Sequence, residues 1–112
     1  MKYTIKEIYV WYDGPQVGIM ERDDNQQFLF VAVPEFQNIS YPFFCIQIQK
    51  EIFDAYLNNE VDLSSTMHKL LDNGSEYGIV EFSDDNAKMF SVSLIKETWF
   101  PDDGFMAKSH TE

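Results

Sequence analysis

Residues 27–33 read Gln-Phe-Leu-Phe-Val-Ala-Val, an unbroken apolar run after one polar residue. Asp23-Asp24-Asn25 precedes it and Pro34 follows, so turn signals bound it on both sides. A continuous run of that length suits a central strand covered on both faces. Upstream, residues 16–22 (QVGIMER) alternate, with Val17 and Ile19 on one face and Gln16 on the other. Short Asx side chains favour turns, because they bond their own backbone and tolerate positive φ. The two runs and their acidic turn therefore predict a hairpin.

Working outward, residues 3–12 (YTIKEIYVWY) are β-branched and aromatic and predict a strand that Asp13-Gly14-Pro15 ends. Residues 34–42 form a loop with a proline at each end. Residues 43–49 (FFCIQIQ) place Phe44, Ile46 and Ile48 opposite Cys45, Gln47 and Gln49, which predicts a strand covered on one side only. The period then changes. In residues 50–58, Ile52, Phe53, Tyr56 and Leu57 make one helical stripe; in 64–73, Met67, Leu70 and Leu71 make another. Ser64 or Ser65 is the expected cap, and Asn73-Gly74 the expected stop. Residues 77–82 and 88–95 predict two further strands, the second with Phe90, Val92 and Leu94 facing one way.

The expected fold is α+β: a single antiparallel sheet of about five to six strands, two hairpins flanking two short helices, and the helices packed on one face. One domain spans residues 1–112, with 101–112 a flexible tail. Gly18-Ile19-Met20-Glu21 before Asp23-Asp24-Asn25 is similar to Gly78-Ile79-Val80-Glu81 before Asp84-Asp85-Asn86. Either convergence or a duplicated hairpin produces this, and both predict two acidic tips.

Three strings, Tyr12-Asp13-Gly14-Pro15, Val33-Pro34 and Leu57-Asn58-Asn59-Glu60-Val61-Asp62-Leu63-Ser64, resemble a pattern in a family of small uncharacterised bacterial proteins. In that family a Tyr-Asp-Gly-Pro segment opens the domain, and a Gly-Glu-Ile-Asp-Leu-Arg-like phrase follows a short helix. Here Asn59 stands for the Gly and Ser64 for the Arg. The resemblance spans roughly residues 9–82 and implies an α+β fold without assigning an activity or a functional residue.

Composition bounds the function. The 112 residues carry 19 Asp and Glu against 8 Lys and Arg, a formal charge of −11. A 45% apolar fraction with 16% aromatics supplies a core, so the chain is not a disordered acidic tail. Nucleic-acid binders gather Lys and Arg on one face, whereas this chain has a single arginine, Arg22, and scattered lysines. No apolar run approaches the ~18–20 residues of a membrane span. The lone Cys45 and the absence of a signal-peptide stretch fit the cytosol, of a bacterial cell or of its host.

Catalytic signals are missing. Cys45 and His68 have no nucleophile–base spacing, His68 and His110 no metal-ligand spacing, and the five glycines form no phosphate loop. The expectation is a non-enzyme without cofactor or metal. The acid is uneven, however: Asp54 to Asp85 holds eight acidic residues against Lys69 alone, seven net negative charges in 32 residues. That density suggests an inhibitor or decoy occupying the basic, nucleic-acid-binding surface of a protein partner such as a nuclease. Immunity proteins and phage anti-defence proteins share this logic. The residues expected to carry it are Asp54, Glu60, Asp62, Asp72, Glu76, Asp84 and Asp85, with Trp99 as an aromatic anchor. The competing expectation is a structural or assembly module in which an exposed strand edge or apolar patch makes a homodimer.

Overall fold

A computed structural model describes residues 2–11, 15–39, 41–83, 86–101 and 104–107. Six strands form one antiparallel sheet in chain order: β1 (Tyr3–Trp11), β2 (Pro15–Arg22), β3 (Gln27–Ala32), β4 (Phe43–Gln47), β5 (Tyr77–Ser83) and β6 (Asn86–Phe90). Helices α1 (Lys50–Leu57) and α2 (Leu63–Asp72) lie between β4 and β5 in the chain, and the fold is α+β.

Period-2 alternation divides the sheet residues between two cores. On one face Val17, Ile19, Leu29, Val31, Phe44, Ile46 and Ile79 meet Phe53, Tyr56, Leu63, Met67 and Leu70 of the helices. On the other, Tyr3, Met20, Phe28, Phe30, Phe43, Cys45, Val80 and Ala87 bury one another with no helix among them. This is possible because the sheet curls. The Tyr3 hydroxyl of β1 lies 4.0 Å from Met89 Sδ of β6, at opposite ends of the strand order. The expectation that β4 is covered on one side only is thereby corrected. Phe43 and Cys45 are as fully buried as Phe44 and Ile46, because the curled sheet supplies the second cover.

Close approach requires glycine at two places. Gly18 pairs with Phe30 across β2 and β3, and a Cβ there would meet the Glu7 carbonyl oxygen and lie 2.6 Å from the Phe30 ring. A Cβ on Gly78 would lie 2.7 Å from the Phe90 carbonyl oxygen and 2.9 Å from Met89 Cγ. The two similar strings thus share a pattern: Gly18 and Gly78 under a neighbouring strand, Ile19 and Ile79 toward the helices, Met20 and Val80 away from them.

Three local expectations change. The cap of α2 is Asp62, not a serine: its Oδ1 accepts the Ser65 backbone N–H at 2.8 Å. A carboxylate two residues upstream reaches the free amides of the first turn, and Ser64 is buried instead. The last strand stops at Phe90. Beyond it Val92 and Ile95 turn to the helix-side core while Leu94 stands 74% exposed, because the chain leaves β5 and crosses to the helix layer. Finally, the described part of the tail is docked. Leu63 donates its N–H to the Phe105 carbonyl at 2.8 Å, and Ala107 is buried. The helix stop is as expected, with Gly74 at φ +82° after Asn73. Asn59 sits in the left-handed region at φ +63°, which Asn tolerates better than most side chains.

Candidate functional site

The carboxylates expected to act together are placed apart. Asp54 on α1 takes the Lys50 Nζ at 2.9 Å, an i,i+4 pair that raises the lysine above its ordinary value. Asp62 has both oxygens occupied, Oδ1 by Ser65 N–H and Oδ2 by Gly104 N–H at 2.8 Å. The Gly104 amide, then Ser65, hold its carboxyl below the usual range. Asp72 ends α2, so ten residues of helix put it about 15 Å from Asp62. Glu76 pairs with Arg22 at 2.9 Å. Glu60, in the turn between the helices, and Asp72 are exposed and have no side-chain partner among the described residues. Asp84 and Asp85 lie outside the described residues.

Trp99 is a correction. It is 3% exposed, with its ring 5.4 Å from Phe44 and 5.9 Å from Phe36, so it fills the helix-side core and is not a surface anchor. A large ring four residues beyond the buried edge of Ile95 removes more apolar area by turning inward than by staying wet.

What the fold does assemble is a polar corner that the sequence did not announce. The Arg22 guanidinium lies over the Phe28 ring at 5.0 Å, and its side chain is only 10% exposed. Its Nε and Nη2 grip both Asp24 oxygens at 2.9 and 2.8 Å, while Nη1 takes Glu76. The Asp24 carboxyl is held low by this fork. A chain of carboxamides ties the β2–β3 turn to the α2–β5 junction. Gln47 donates to Gln26 Oε1 at 2.6 Å and accepts from the Glu76 backbone N–H at 3.3 Å. Gln49 donates to Ser75 Oγ at 2.8 Å and to the Asn73 carbonyl at 3.3 Å. The only arginine is thus spent inside the corner, and Asp23, Asp24 and Glu76 are exposed on its rim beside Lys2, whose backbone N–H donates to Asp23 Oδ2 at 3.1 Å. The available clue was the placement of that arginine immediately before Asp23-Asp24.

The corner can offer charge and hydrogen-bond acceptors. Cys45 is buried on the face away from the helices, its thiol 3.4 Å from the Gly78 carbonyl and pushed up to about 12, chiefly by burial. His68 is on the helix layer, stacked on Phe100 at 4.2 Å, with Nδ1 2.8 Å from the Ser64 carbonyl. A groove of about 590 Å³ between α1 and α2 is open and includes Lys50, Ile52, Val61, Thr66 and Lys69. Among the described residues, no three of His, Cys, Asp and Glu are placed to hold a metal ion, and no helix is long and apolar enough to cross a membrane.

No protein-family model matches the chain, no curated protein matches it, and no solved structure matches it.

Proposed function

We propose that this protein is a non-enzymatic acidic binding module that occupies the basic, nucleic-acid-handling surface of a protein partner in the cytosol. The observation that carries this reading is the polar corner, where Asp23, Asp24 and Glu76 are exposed around an arginine already committed to its neighbours. Carboxylates fixed by a hydrogen-bonded frame lose less freedom on docking than carboxylates on free side chains. They can stand in for phosphates without folding on contact. Asp54, Glu60, Asp62 and Asp72 are secondary in this reading, since Lys50 partly neutralises Asp54, backbone amides occupy Asp62, and Glu60 and Asp72 lie outside the hydrogen-bonded frame. The two hairpins β2–β3 and β5–β6 then serve as rigid arms on either side of the helices, in the manner of an immunity or anti-defence protein. The family resemblance suggests the same fold type and adds no activity.

The test is to isolate the basic protein that co-purifies with the chain and titrate the pair between about 50 and 500 mM salt, with the partner's own nucleic acid as competitor. Affinity should fall steeply with salt, and both nucleic acid and the Asp23→Asn/Glu76→Gln double variant should weaken it. Binding that ignores salt, or that the double variant leaves intact, overturns the proposal.

A further inference from the structure

The edge strand β1 is uncovered in an unusual way. Tyr3 is buried under β6, but the next five residues, Thr4 to Ile8, are all exposed, including the large apolar Ile5 (38%) and Ile8 (40%). Because successive strand residues face opposite ways, neither the helix layer nor the curled interior covers this stretch.

Its facing pattern follows from the register with β2. Ile5 pairs with Met20 and Ile8 with Gly18, so both lie on the side away from the helices. Thr4 pairs with Glu21 and Glu7 with Ile19, on the helix side. Lys6 reaches Glu21 at 3.4 Å and Tyr9 packs on the helix-side core, so these two lie there as well. From Thr4 to Tyr9 the order is helix side, far side, helix side, helix side, far side, helix side. That order reads the same in reverse.

A segment with this symmetry complements itself. We infer that β1 pairs antiparallel with β1 of a second copy about a two-fold axis between Lys6 and Glu7. Thr4 then lies opposite Tyr9, Ile5 opposite Ile8, and Lys6 opposite Glu7, each pair occurring twice and on matching faces. Of the three register shifts in β1, the one between Ile5 and Glu7 falls at the axis, where both copies bend alike, and the one between Ile8 and Val10 lies at Tyr9, at the end of the paired stretch. Lysine and bulges also serve to keep an edge strand unpaired. What favours pairing is that the two-fold mate of Lys6 is an acid, and that both flanking positions are exposed isoleucine instead of further charge.

Sedimentation of the intact chain tests this. A short strand–strand interface is small, so the concentration series should extend to about 500 µM. Wild type should dimerise. Lys6→Glu and Glu7→Lys should each weaken association at least about tenfold, because every reversal creates two like-charge pairs. Mixing the two single variants should restore a dimer, since an edge with two glutamates then meets an edge with two lysines. The double swap should restore it too. Glu7→Lys leaves the Lys6–Glu21 pair in place and loses only the Glu7 hydrogen bond to Tyr9, so it remains informative if Lys6→Glu fails to fold. A wild type that stays monomeric, single reversals without effect, or a mixture that does not associate would each overturn the inference.

Discussion

The two faces of the sheet bury their cores by different routes. The helix-side face is closed by a second layer, and its fully buried sheet residues are mostly aliphatic, with Phe44 the one ring among them. The opposite face has only the sheet itself to close on. It is filled with large rings: Phe30, Phe43 and Phe82 meet edge to face at 5.2–5.5 Å, and Tyr3 meets Phe28 at 5.9 Å. The rings need space beneath them, and Gly18 provides it directly under Phe30. A curled sheet without a covering layer thus substitutes side-chain volume for a second element, and glycine makes the volume fit.

The largest expected effect separates the faces. Phe30→Ala should cost about 3–5 kcal/mol in denaturant unfolding and expose the amides of β2, β3 and β4 to hydrogen exchange together. Leu70→Ala, with about 2–5 kcal/mol at stake, should instead loosen α1 and α2 while those strands stay protected. Equal loss of protection in both variants would mean that the two cores are one cooperative unit. Next comes Gly18→Ala, expected to cost about 2–3 kcal/mol by overpacking the ring and the Glu7 carbonyl. Gly74→Ala meets no neighbouring atom and should cost only about 1 kcal/mol, the strain of its positive φ.

Smaller effects belong to the helix side. Asp62→Ala removes the α2 cap and the tie to Gly104, for about 1–2 kcal/mol at neutral pH. The folded carboxyl is lower than the unfolded one. Its contribution is therefore complete above the unfolded value near ~4 and drains as pH falls through the folded one. The gap between wild type and variant should narrow in acid, which urea titrations at several pH values would measure. The smallest effect is on the far face. With its thiol pushed up to about 12 and no exposure, Cys45 should resist alkylation at pH 8 until the chain unfolds. Rapid labelling of folded protein would show that this face opens.

Most of the strand and helix placement was legible because apolar periodicity acts locally. Residues 27–33 and 50–58 carry their pattern within themselves, and β3 and α1 differ from it only at the ends. The end of β6 was not legible, since residues 91–95 still alternate after the chain has left its partner strand. The second cover over Cys45 was also hidden, because curling joins Tyr3 to Met89 across 86 positions. Of the expected carboxylates, the sequence supplied the number but not the neighbours. Nothing near Glu76 in the chain points to Arg22, 54 residues away.

Charge, strand and helix periods and the turn chemistry of Asn73-Gly74 are properties of short segments and of composition, and the sequence alone determined them. Which carboxylates stay free, where Trp99 points, and how the sheet covers itself were decided only in three dimensions. These depend on which distant groups meet, and a hydrogen bond or a ring contact between remote residues leaves no local period to read.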